Sequence, residues 1–136
     1  EIKSRSLNNY KTLHYILKHI PRRILLHQCI ISSFNYFLLC QLRLMFFYKG
    51  KTALILENKY FKNRLVLQIN KILISILNPD FLHTNIEQVT RSFVNWAHKK
   101  SIIINTYTIN DKRALEQCIS LGVDGVFTDN HELYNK

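Results

Sequence analysis

The sequence predicts an α/β fold with a parallel sheet, and three observations indicate it. Short apolar runs of β type alternate six times with stretches whose apolar residues recur at helical spacing. This alternation is typical of βαβ units with right-handed crossovers. Polar residues directly follow several of the apolar runs. Only three glycines are present, too few for a GxGxxG or Walker phosphate loop, which disfavours nucleotide-binding folds and leaves a barrel-like topology.

The length limits how complete such a barrel is. The chain has 136 residues, of which 47% are hydrophobic, and this fits one globular domain of ordinary composition. A complete (β/α)8 barrel typically needs about 250 residues. We therefore treat residues 1–136 as a single but incomplete domain.

Two strands are predicted in the first part of the chain, at residues 29–31 and 52–56. Residues 1–3 are too short to classify alone and take the place of the first strand in the alternation. Residues 7–20 follow them with apolar side chains on one helical face, and Pro21 ends that helix. Asn35 is a suitable cap for a helix that runs to about Phe46. The segment from residue 57 to about Lys71 is predicted to be the next helix.

Three further strands are predicted at residues 72–77, 102–108 and 123–128. Thr84 or Asn85 is expected to cap a long helix that ends at Lys100. Asn110 or Asp111 is expected to cap the next helix, and Gly122 suits its left-handed stop. A short helix is expected to begin at residues 129–130.

The charge of the chain favours anionic partners without identifying one. Nineteen Lys and Arg residues against nine Asp and Glu residues give a net charge of +10. Such a surface attracts phosphates, anionic lipid headgroups and nucleic acid. The basic residues are scattered, with doublets only at residues 22–23 and 99–100, so we expect no specific nucleic-acid partner.

Cysteine and targeting patterns favour the cytoplasm. The three cysteines form no CxxC pair, and their odd number argues for a reducing compartment rather than a disulfide framework. No targeting signal is visible. The apolar window at residues 29–48 includes Arg43, which is costly inside a bilayer, so we expect neither a membrane span nor a membrane partner.

Candidate functional residues lie where the predicted strands end, because parallel α/β folds concentrate function at the carboxyl ends of strands. This rule selects Glu1, Lys3, Ser32, Ser33, Phe34, Asn35, Glu57, Asn78, Asp80, Tyr107, Thr108, Asn110, Thr128 and Asp129.

Four ordered blocks of these residues resemble the glycerophosphodiester phosphodiesterases. The blocks are Glu1-Ile2-Lys3, the segment ISSFN at residues 31–35, the segment YTIN at residues 107–110 and the segment GVDGVFTD at residues 122–129. The last block is the most specific, and the resemblance covers essentially the whole chain. Ser101 and Asn130 depart from the family pattern, which commonly has glycine and proline there.

The resemblance implies that this chain is the carboxyl-terminal portion of a (β/α)8 TIM barrel, holding its strands three to eight. The family's HRG and ExD blocks and its two catalytic histidines would lie upstream of Glu1, so no catalytic residue is assigned within the chain. Glu1 matches a ligand of a divalent ion, calcium or magnesium, and Lys3 matches a lysine that faces the phosphate. Tyr107 and Phe34 would line the glycerol side of the pocket. Asn110 and Asp129 are expected to cap helices.

The expected function is metal-dependent hydrolysis of glycerophosphodiesters to glycerol 3-phosphate and an alcohol by the complete protein, with the isolated chain inactive. A different class remains open at this point, namely a noncatalytic basic α/β module that binds anionic lipid or nucleic acid through its charge. Self-association is a further expectation, because an incomplete barrel leaves two sheet edges exposed.

Overall fold

The computed structural model describes residues 1–57 and 63–134, which contain five β-strands and six α-helices. The residues divide into two compact units, Glu1–Ile55 and Leu56–Lys136. We call them the amino-terminal unit and the carboxyl-terminal unit and describe each by itself. Within each unit, strands alternate with helices and neighbouring strands are parallel.

The amino-terminal unit contains two parallel strands and three helices. In chain order these are α1 (Tyr10–His19), α2 (Arg22–His27), β1 (Ile30–Ser33), α3 (Tyr36–Leu44) and β2 (Lys51–Ile55). Helix α3 packs on both strands, and Leu38, Leu39 and Leu42 on it are fully buried. The sequence did not predict α2, which begins directly after Pro21. Proline is tolerated at a helix start because an N–H there would have no partner within the helix.

Residues 1–3 do not form a regular strand, but Ile2 is hydrogen-bonded to the end of β1 through one backbone bond and one side-chain bond. The Ile2 N–H donates to the Ser32 carbonyl oxygen at 2.8 Å, and the Ser33 hydroxyl donates to the Ile2 carbonyl oxygen at 2.7 Å. Ile2 therefore lies beside the last residues of β1, which places Glu1 and Lys3 at the end of a strand.

The carboxyl-terminal unit contains three parallel strands that pair in chain order. Its elements are α4 (Arg64–Leu77), β3 (Phe81–Asn85), α5 (Arg91–His98), β4 (Ile103–Tyr107), α6 (Lys112–Leu121) and β5 (Gly125–Val126), with 3-10 helices at Ile86–Gln88 and His131–Tyr134. His83 lies opposite Asn105, and Asn105 lies opposite Gly125. Leu82 and Ile104 are fully buried on the other face, where Thr106 contacts Cys118 of α6.

The prediction of a strand at residues 72–77 is wrong, because these residues form the last turns of α4. The helix begins at Asn63, whose side chain accepts the N–H of Val66, and it ends at Asn78, which adopts the left-handed conformation at φ 47°. A continuous apolar run fits a buried strand or an apolar helix equally well, and periodicity alone does not separate them. The beginning of the helix predicted after residue 57 includes residues 58–62, outside the described residues.

The fourth strand lies instead at Phe81–Asn85, where the sequence analysis expected Thr84 or Asn85 to begin a long helix. Asn85 caps only the 3-10 helix that follows, and Thr90 caps α5 by accepting the N–H of Phe93. The alternation of strands and helices is found from β1 onward, but with five strands among the described residues instead of the six predicted, and this strand begins nine residues closer to the carboxyl terminus than predicted. Strand β3 pairs fully with β4, and these hydrogen bonds outweigh the capping preference of a single side chain.

Other helix ends lie where the sequence predicts them. Asn35 caps α3 through the N–H of Leu38, and Gly122 ends α6 at φ 82°. Asp111 rather than Asn110 caps α6. No helix among residues 1–57 and 63–134 is long and apolar enough to cross a membrane, and the window at residues 29–48 divides between β1 and α3.

Candidate functional site

Glu1 and Lys3 form a charged pair beside the end of β1. The Lys3 Nζ atom lies 4.0 Å from Glu1 Oε1, with 83% of the Lys3 side chain and 35% of the Glu1 side chain exposed. Their spacing of two residues places both side chains on the same side of an extended segment. The structure therefore brings together the predicted metal ligand and the predicted phosphate-facing cation.

Asn35 hydrogen-bonds the backbone of the segment that directly follows Glu1 and Lys3. Its side-chain Nδ2 donates to the carbonyl oxygens of Ser4 at 3.1 Å and Ser6 at 2.7 Å, while its Oδ1 accepts the Leu38 N–H at 3.2 Å. One amide thus caps α3 and holds the residues that follow Lys3. The sequence analysis identified only the capping role.

Phe34 lies between the end of β1 and this capping residue and is half-buried. Its backbone position is fixed on one side by Ser33, whose hydroxyl bonds Ile2, and on the other by Asn35. The predicted aromatic residue is therefore held on ordered backbone at a strand end, next in sequence to the residues that bond the Glu1–Lys3 segment.

Tyr107 ends β4 in the carboxyl-terminal unit and is half-buried. Its hydroxyl donates to the Leu56 carbonyl oxygen at 2.9 Å, and Leu56 in turn donates its N–H to the His83 carbonyl oxygen at 2.8 Å. The hydroxyl anchors the ring at the strand end. An aromatic face in a fixed position is suited to contacts with the carbon atoms of a small ligand.

A cluster that the sequence analysis missed lies on the same face of the carboxyl-terminal sheet. Asn105 Nδ2 lies 3.4 Å from His83 Nε2, and the His83 ring meets the Phe127 ring edge to face at 4.8 Å between centroids. The contact places an amide nitrogen, which is a donor, against a nitrogen of the imidazole ring. His83 is 8% exposed, which makes it a buried imidazole among polar and aromatic neighbours.

The signal for this cluster was present in the alternation of Phe81, His83 and Asn85 with Leu82 and Thr84. Alternate residues of a strand share a face, so the register brings His83 and Asn105 side by side. The mistaken strand at residues 72–77 obscured this pattern. His83 was consequently absent from the predicted site residues.

Asn110 organises the loop that follows β5. Its Oδ1 accepts the Asp129 N–H at 2.9 Å and the Thr128 hydroxyl at 3.2 Å, and its carbonyl oxygen accepts from Asn130 Nδ2 at 3.2 Å. The expectation that Asn110 caps a helix is therefore wrong, because its side chain faces the β5 loop while Asp111 takes the cap. These bonds connect the YTIN block with the TD pair of the last block.

The described residues do not by themselves form a complete metal site. Within residues 1–57 and 63–134, no group of three or more His, Cys, Asp or Glu side chains is placed to hold an ion. Calcium takes about six to eight oxygen ligands, and Glu1 offers one carboxylate. Glu1 alone therefore does not make a metal site, and its role as a ligand stays a prediction.

Parallel strands with polar and aromatic residues at their carboxyl ends are the arrangement in which parallel α/β enzymes bind small ligands. The sequence model of the glycerophosphoryl diester phosphodiesterase family matches residues 4–133, and the chain belongs to this family. A comparison with curated proteins returns no match.

Solved structures share the fold. A protein from Silicibacter pomeroyi DSS-3, assigned as a glycerophosphoryl diester phosphodiesterase, superposes with a TM-score of 0.74 at 19% identity, covering 94% of this chain and 45% of that one. A glycerophosphodiester phosphodiesterase from Parabacteroides distasonis gives 0.68 at 16% identity, covering 93% and 50%. An Oleispira antarctica phosphodiesterase, in complex with the product sn-glycerol-3-phosphate, gives 0.62 at 18% identity, covering 88% and 44%.

The α/β fold predicted from the sequence, a partial barrel, is confirmed by these neighbours. The chain spans about half the length of the structures that it matches. What those proteins bind or catalyse is their own property, and the roles of Glu1, Lys3, Phe34 and Tyr107 stay predictions.

Proposed function

We propose that this chain is part of an enzyme that hydrolyses glycerophosphodiesters to glycerol 3-phosphate and an alcohol. The observation that carries the proposal is the placement of Glu1 and Lys3 beside the end of β1 through the Ile2 hydrogen bonds. Family membership over residues 4–133 supports the reaction class. The product found on the Oleispira antarctica relative supports glycerol 3-phosphate as the recognised half of the substrate.

Lys3 has the chemistry that a phosphodiester requires. The substrate phosphate is an anion, and its charge repels an attacking nucleophile, so a cation held close to it lowers the barrier. The Lys3 ammonium is exposed and is attached to backbone that bonds β1. A compact point charge suffices for this role, because no planar fork is needed to neutralise a phosphate oxygen.

Phe34 and Tyr107 are proposed to contact the glycerol portion. In the amino-terminal unit, Phe34 presents an aromatic ring directly after β1. In the carboxyl-terminal unit, the hydroxyl bond to Leu56 fixes the Tyr107 ring in orientation. Carbon-bound hydrogens of a polyol pack well against aromatic faces, and fixed rings lose little entropy on binding.

Metal dependence is part of the proposal, with Glu1 as one ligand to calcium or magnesium. A bound divalent ion would supply Lewis-acid stabilisation of the phosphate. The described residues provide no complete donor set, so the other ligands, like the two histidines, are assigned by family resemblance to blocks outside residues 1–136.

Activity of the purified chain tests the requirement for those blocks. With glycerophosphocholine and millimolar calcium or magnesium, residues 1–136 alone are expected to release no glycerol 3-phosphate above the enzyme-free rate. Metal-dependent turnover that is abolished by chelation would show that the chain carries its own acid and base, and the assignment of the histidines would then be wrong.

Ligand binding tests the role of Lys3 independently of turnover. In an amide-resolved NMR titration with sn-glycerol 3-phosphate, shifts are expected at Lys3 and Phe34. Lys3→Gln should weaken binding about fivefold to tenfold, as expected for loss of one charge-assisted contact. Lys18→Gln in α1 removes the same charge elsewhere and should leave binding unchanged. Equal effects of the two variants would show that binding depends on the net charge of the protein and not on the position of Lys3.

A further inference from the structure

The turn between α3 and β2 exposes large apolar side chains next to a lysine. Leu44, at the end of α3, is 71% exposed, Met45 is 55% exposed and Phe47 is 75% exposed. Lys49 follows two residues after Phe47 and is exposed as well. We call these four residues the loop patch. Single exposed apolar residues are common on protein surfaces, whereas a contiguous group of large ones is typical of a binding surface.

Phe47 adopts a backbone conformation that favours glycine. Its φ of 49° lies in the left-handed region, where a Cβ atom crowds the following carbonyl oxygen. The Tyr48 N–H donates to the Leu42 carbonyl oxygen at 3.2 Å, so the left-handed residue closes the end of α3, a position that glycine usually occupies. Backbone strain and exposure of the ring both disfavour phenylalanine here, and an observed strain of this kind supports a functional role.

The loop that presents Phe47 is held on two sides. Tyr48 is 6% exposed, and its hydroxyl donates to the Leu25 carbonyl oxygen of α2 at 2.6 Å. On the other side, the Phe46 ring lies 5.2 Å from the Tyr10 ring of α1, measured between centroids. The loop patch is therefore presented on ordered backbone, and α2 lies beside it.

The loop patch lies in the more basic unit of the chain. Residues 1–55 carry nine Lys or Arg and one acidic residue, Glu1, so they hold most of the net charge of +10. Lys49 belongs to the loop patch, and Lys51 follows at the first position of β2. Helix α2, which accepts the hydrogen bond from the loop, begins with the exposed arginine doublet at residues 22–23.

Glu1 lies at the other end of this unit. Strands β1 and β2 are parallel, and Glu1 lies beside the carboxyl end of β1, whereas the loop patch precedes the amino end of β2. The four residues of β1 span about 13 Å. The one carboxylate side chain of residues 1–55 is therefore remote from the cations at the loop patch.

An anionic bilayer surface matches this combination of groups. Its phosphates attract lysine and arginine, and the layer directly beneath them accepts aromatic and aliphatic side chains. A second copy of the chain fits poorly, because two surfaces of the same positive charge repel each other. A nucleic acid would meet the cations through its phosphates but would leave Leu44 and Met45 in water.

Large apolar residues are also exposed in the carboxyl-terminal unit, on α4 and α6. Leu65 of α4 is 70% exposed, but Lys71 of the same helix lies against α5, with its Nζ 5.3 Å from the centroid of the Trp96 ring. Ile119 of α6 is also 70% exposed and lies one turn from Glu116. Leu65 and Ile119 therefore provide controls for apolar exposure outside the loop patch.

We propose that the loop patch docks the protein on membranes that contain anionic phospholipid. Phe47, Met45 and Leu44 enter the headgroup region, and Lys49 meets lipid phosphates. The charged pair beside the end of β1 lies at the opposite end of the same unit, so docking leaves that end in water, where glycerophosphodiesters are dissolved. The sequence analysis expected no membrane partner because it considered a membrane span, which this mode of binding does not require.

Flotation with vesicles tests the proposal. The chain is expected to bind vesicles of phosphatidylcholine with about 30% phosphatidylserine and to bind pure phosphatidylcholine vesicles at least about fivefold more weakly. Phe47→Gly should reduce partitioning to the anionic vesicles roughly tenfold, because it removes the inserted ring. Glycine suits a φ of 49°, so this variant should be at least as stable to urea as the unaltered protein, and its loss of binding cannot come from unfolding. Lys49→Gln should weaken binding about fivefold.

Matched controls remove the same chemistry elsewhere. Ile119→Gln and Leu65→Gln each change a side chain that is 70% exposed, and Lys112→Gln removes an exposed lysine of α6. Each control should change partitioning by less than about twofold. Equal losses in the controls and in the Phe47 and Lys49 variants, or no binding by the unaltered chain, would overturn the proposal. Binding to a single-stranded oligonucleotide but not to vesicles, weakened by Phe47→Gly, would assign the loop patch to nucleic acid and overturn it as well.

Discussion

Asn105 occupies the space that a side chain on Gly125 would need. The two residues lie opposite each other in β4 and β5, and a Cβ atom on Gly125 would lie 2.5 Å from Asn105 Oδ1. The second glycine of the GVDGVFTD block thus allows Asn105 to reach His83. Gly125 has no positive φ in this structure, so it is required here for space rather than for backbone conformation.

Gly125→Ala should therefore lower the free energy of unfolding by about 1 to 3 kcal/mol through overpacking against Asn105. The same substitution in an Asn105→Ala background should cost less than about 1 kcal/mol, because the obstructing amide is gone. Urea unfolding of the four proteins in this double-mutant cycle measures the difference. Equal costs in the two backgrounds would contradict the steric explanation.

Asp124 connects the last block to the beginning of β4 and provides a second prediction. Its Oδ2 accepts the Ile104 N–H at 2.8 Å and lies 2.9 Å from His98 Nε2. Asp124→Ala should cost about 1 to 3 kcal/mol, since it leaves a strand N–H without this acceptor. His98→Ala removes only the exposed pair and should cost less than about 1 kcal/mol. Comparable losses in thermal unfolding of the two variants would mean that the imidazole, and not the amide, is the important partner.

The raised pKa of Tyr36 leads us to expect a loss of stability at high pH. Burial raises the pKa of Tyr36 from 10.0 to about 12, and its hydrogen bond and charge interaction with Cys40 act in the same direction. The folded protein therefore retains the phenol proton where the unfolded chain loses it. The resulting stabilisation is fully present below pH 10 and declines as the pH rises from 10 towards 12.

Ultraviolet titration of tyrosinate measures this effect, with Tyr36→Phe as the comparison. The variant should lose the transition near pH 12, and its stability should fall less steeply between pH 10 and 12. Identical pH profiles of unfolding for the two proteins would show that Tyr36 titrates normally.

Removal of the Tyr107 hydroxyl is expected to lower the free energy of unfolding by a small amount. Tyr107→Phe keeps the ring but removes the donor to the Leu56 carbonyl oxygen, which belongs to a residue that is 1% exposed. The expected cost is about 1 kcal/mol. Tyr15→Phe on α1 alters a tyrosine that is 63% exposed and should change stability by less than about 0.5 kcal/mol. Chemical denaturation measures the stabilities of both variants. An unchanged midpoint for Tyr107→Phe would show that the hydrogen bond to Leu56 does not stabilise the fold.

The sequence predicts most of the fold because its local signals agree with the strand and helix positions. Asn35 and Gly122 mark helix ends where capping chemistry and tertiary structure require the same residue. Strand β4 is a run of β-branched and aromatic residues and is found within two residues of its predicted bounds.

The fourth strand was placed at the wrong residues for a physical reason. Residues 72–77 are apolar except for Ser75, because α4 has apolar side chains on its buried side and on its exposed side, so no clear period distinguishes helix from strand. Strand β3, by contrast, contains His83, Thr84 and Asn85, which resemble loop and cap residues in isolation. Their alternation with Phe81 and Leu82 fits a strand, and pairing with β4 places them in one.

The site is predictable only as far as chain position determines it. Glu1, Lys3, Phe34 and Tyr107 are among the fourteen residues that strand-end position selects, and the family resemblance singled them out from that set. Each lies on backbone that hydrogen bonds hold in place. His83 and Asn105 become neighbours through register, which depends on where β3 begins. Asn110 was assigned a cap by its type, whereas the loop after β5 determines its partners.

Trp96 is the only tryptophan of the chain, and the Lys71 ammonium lies above its ring. The indole therefore works as an internal optical reporter of the contact between α4 and α5. Movement of α4 relative to α5 would change the surroundings of a single chromophore. Emission from the unlabelled protein can thus follow that contact in real time.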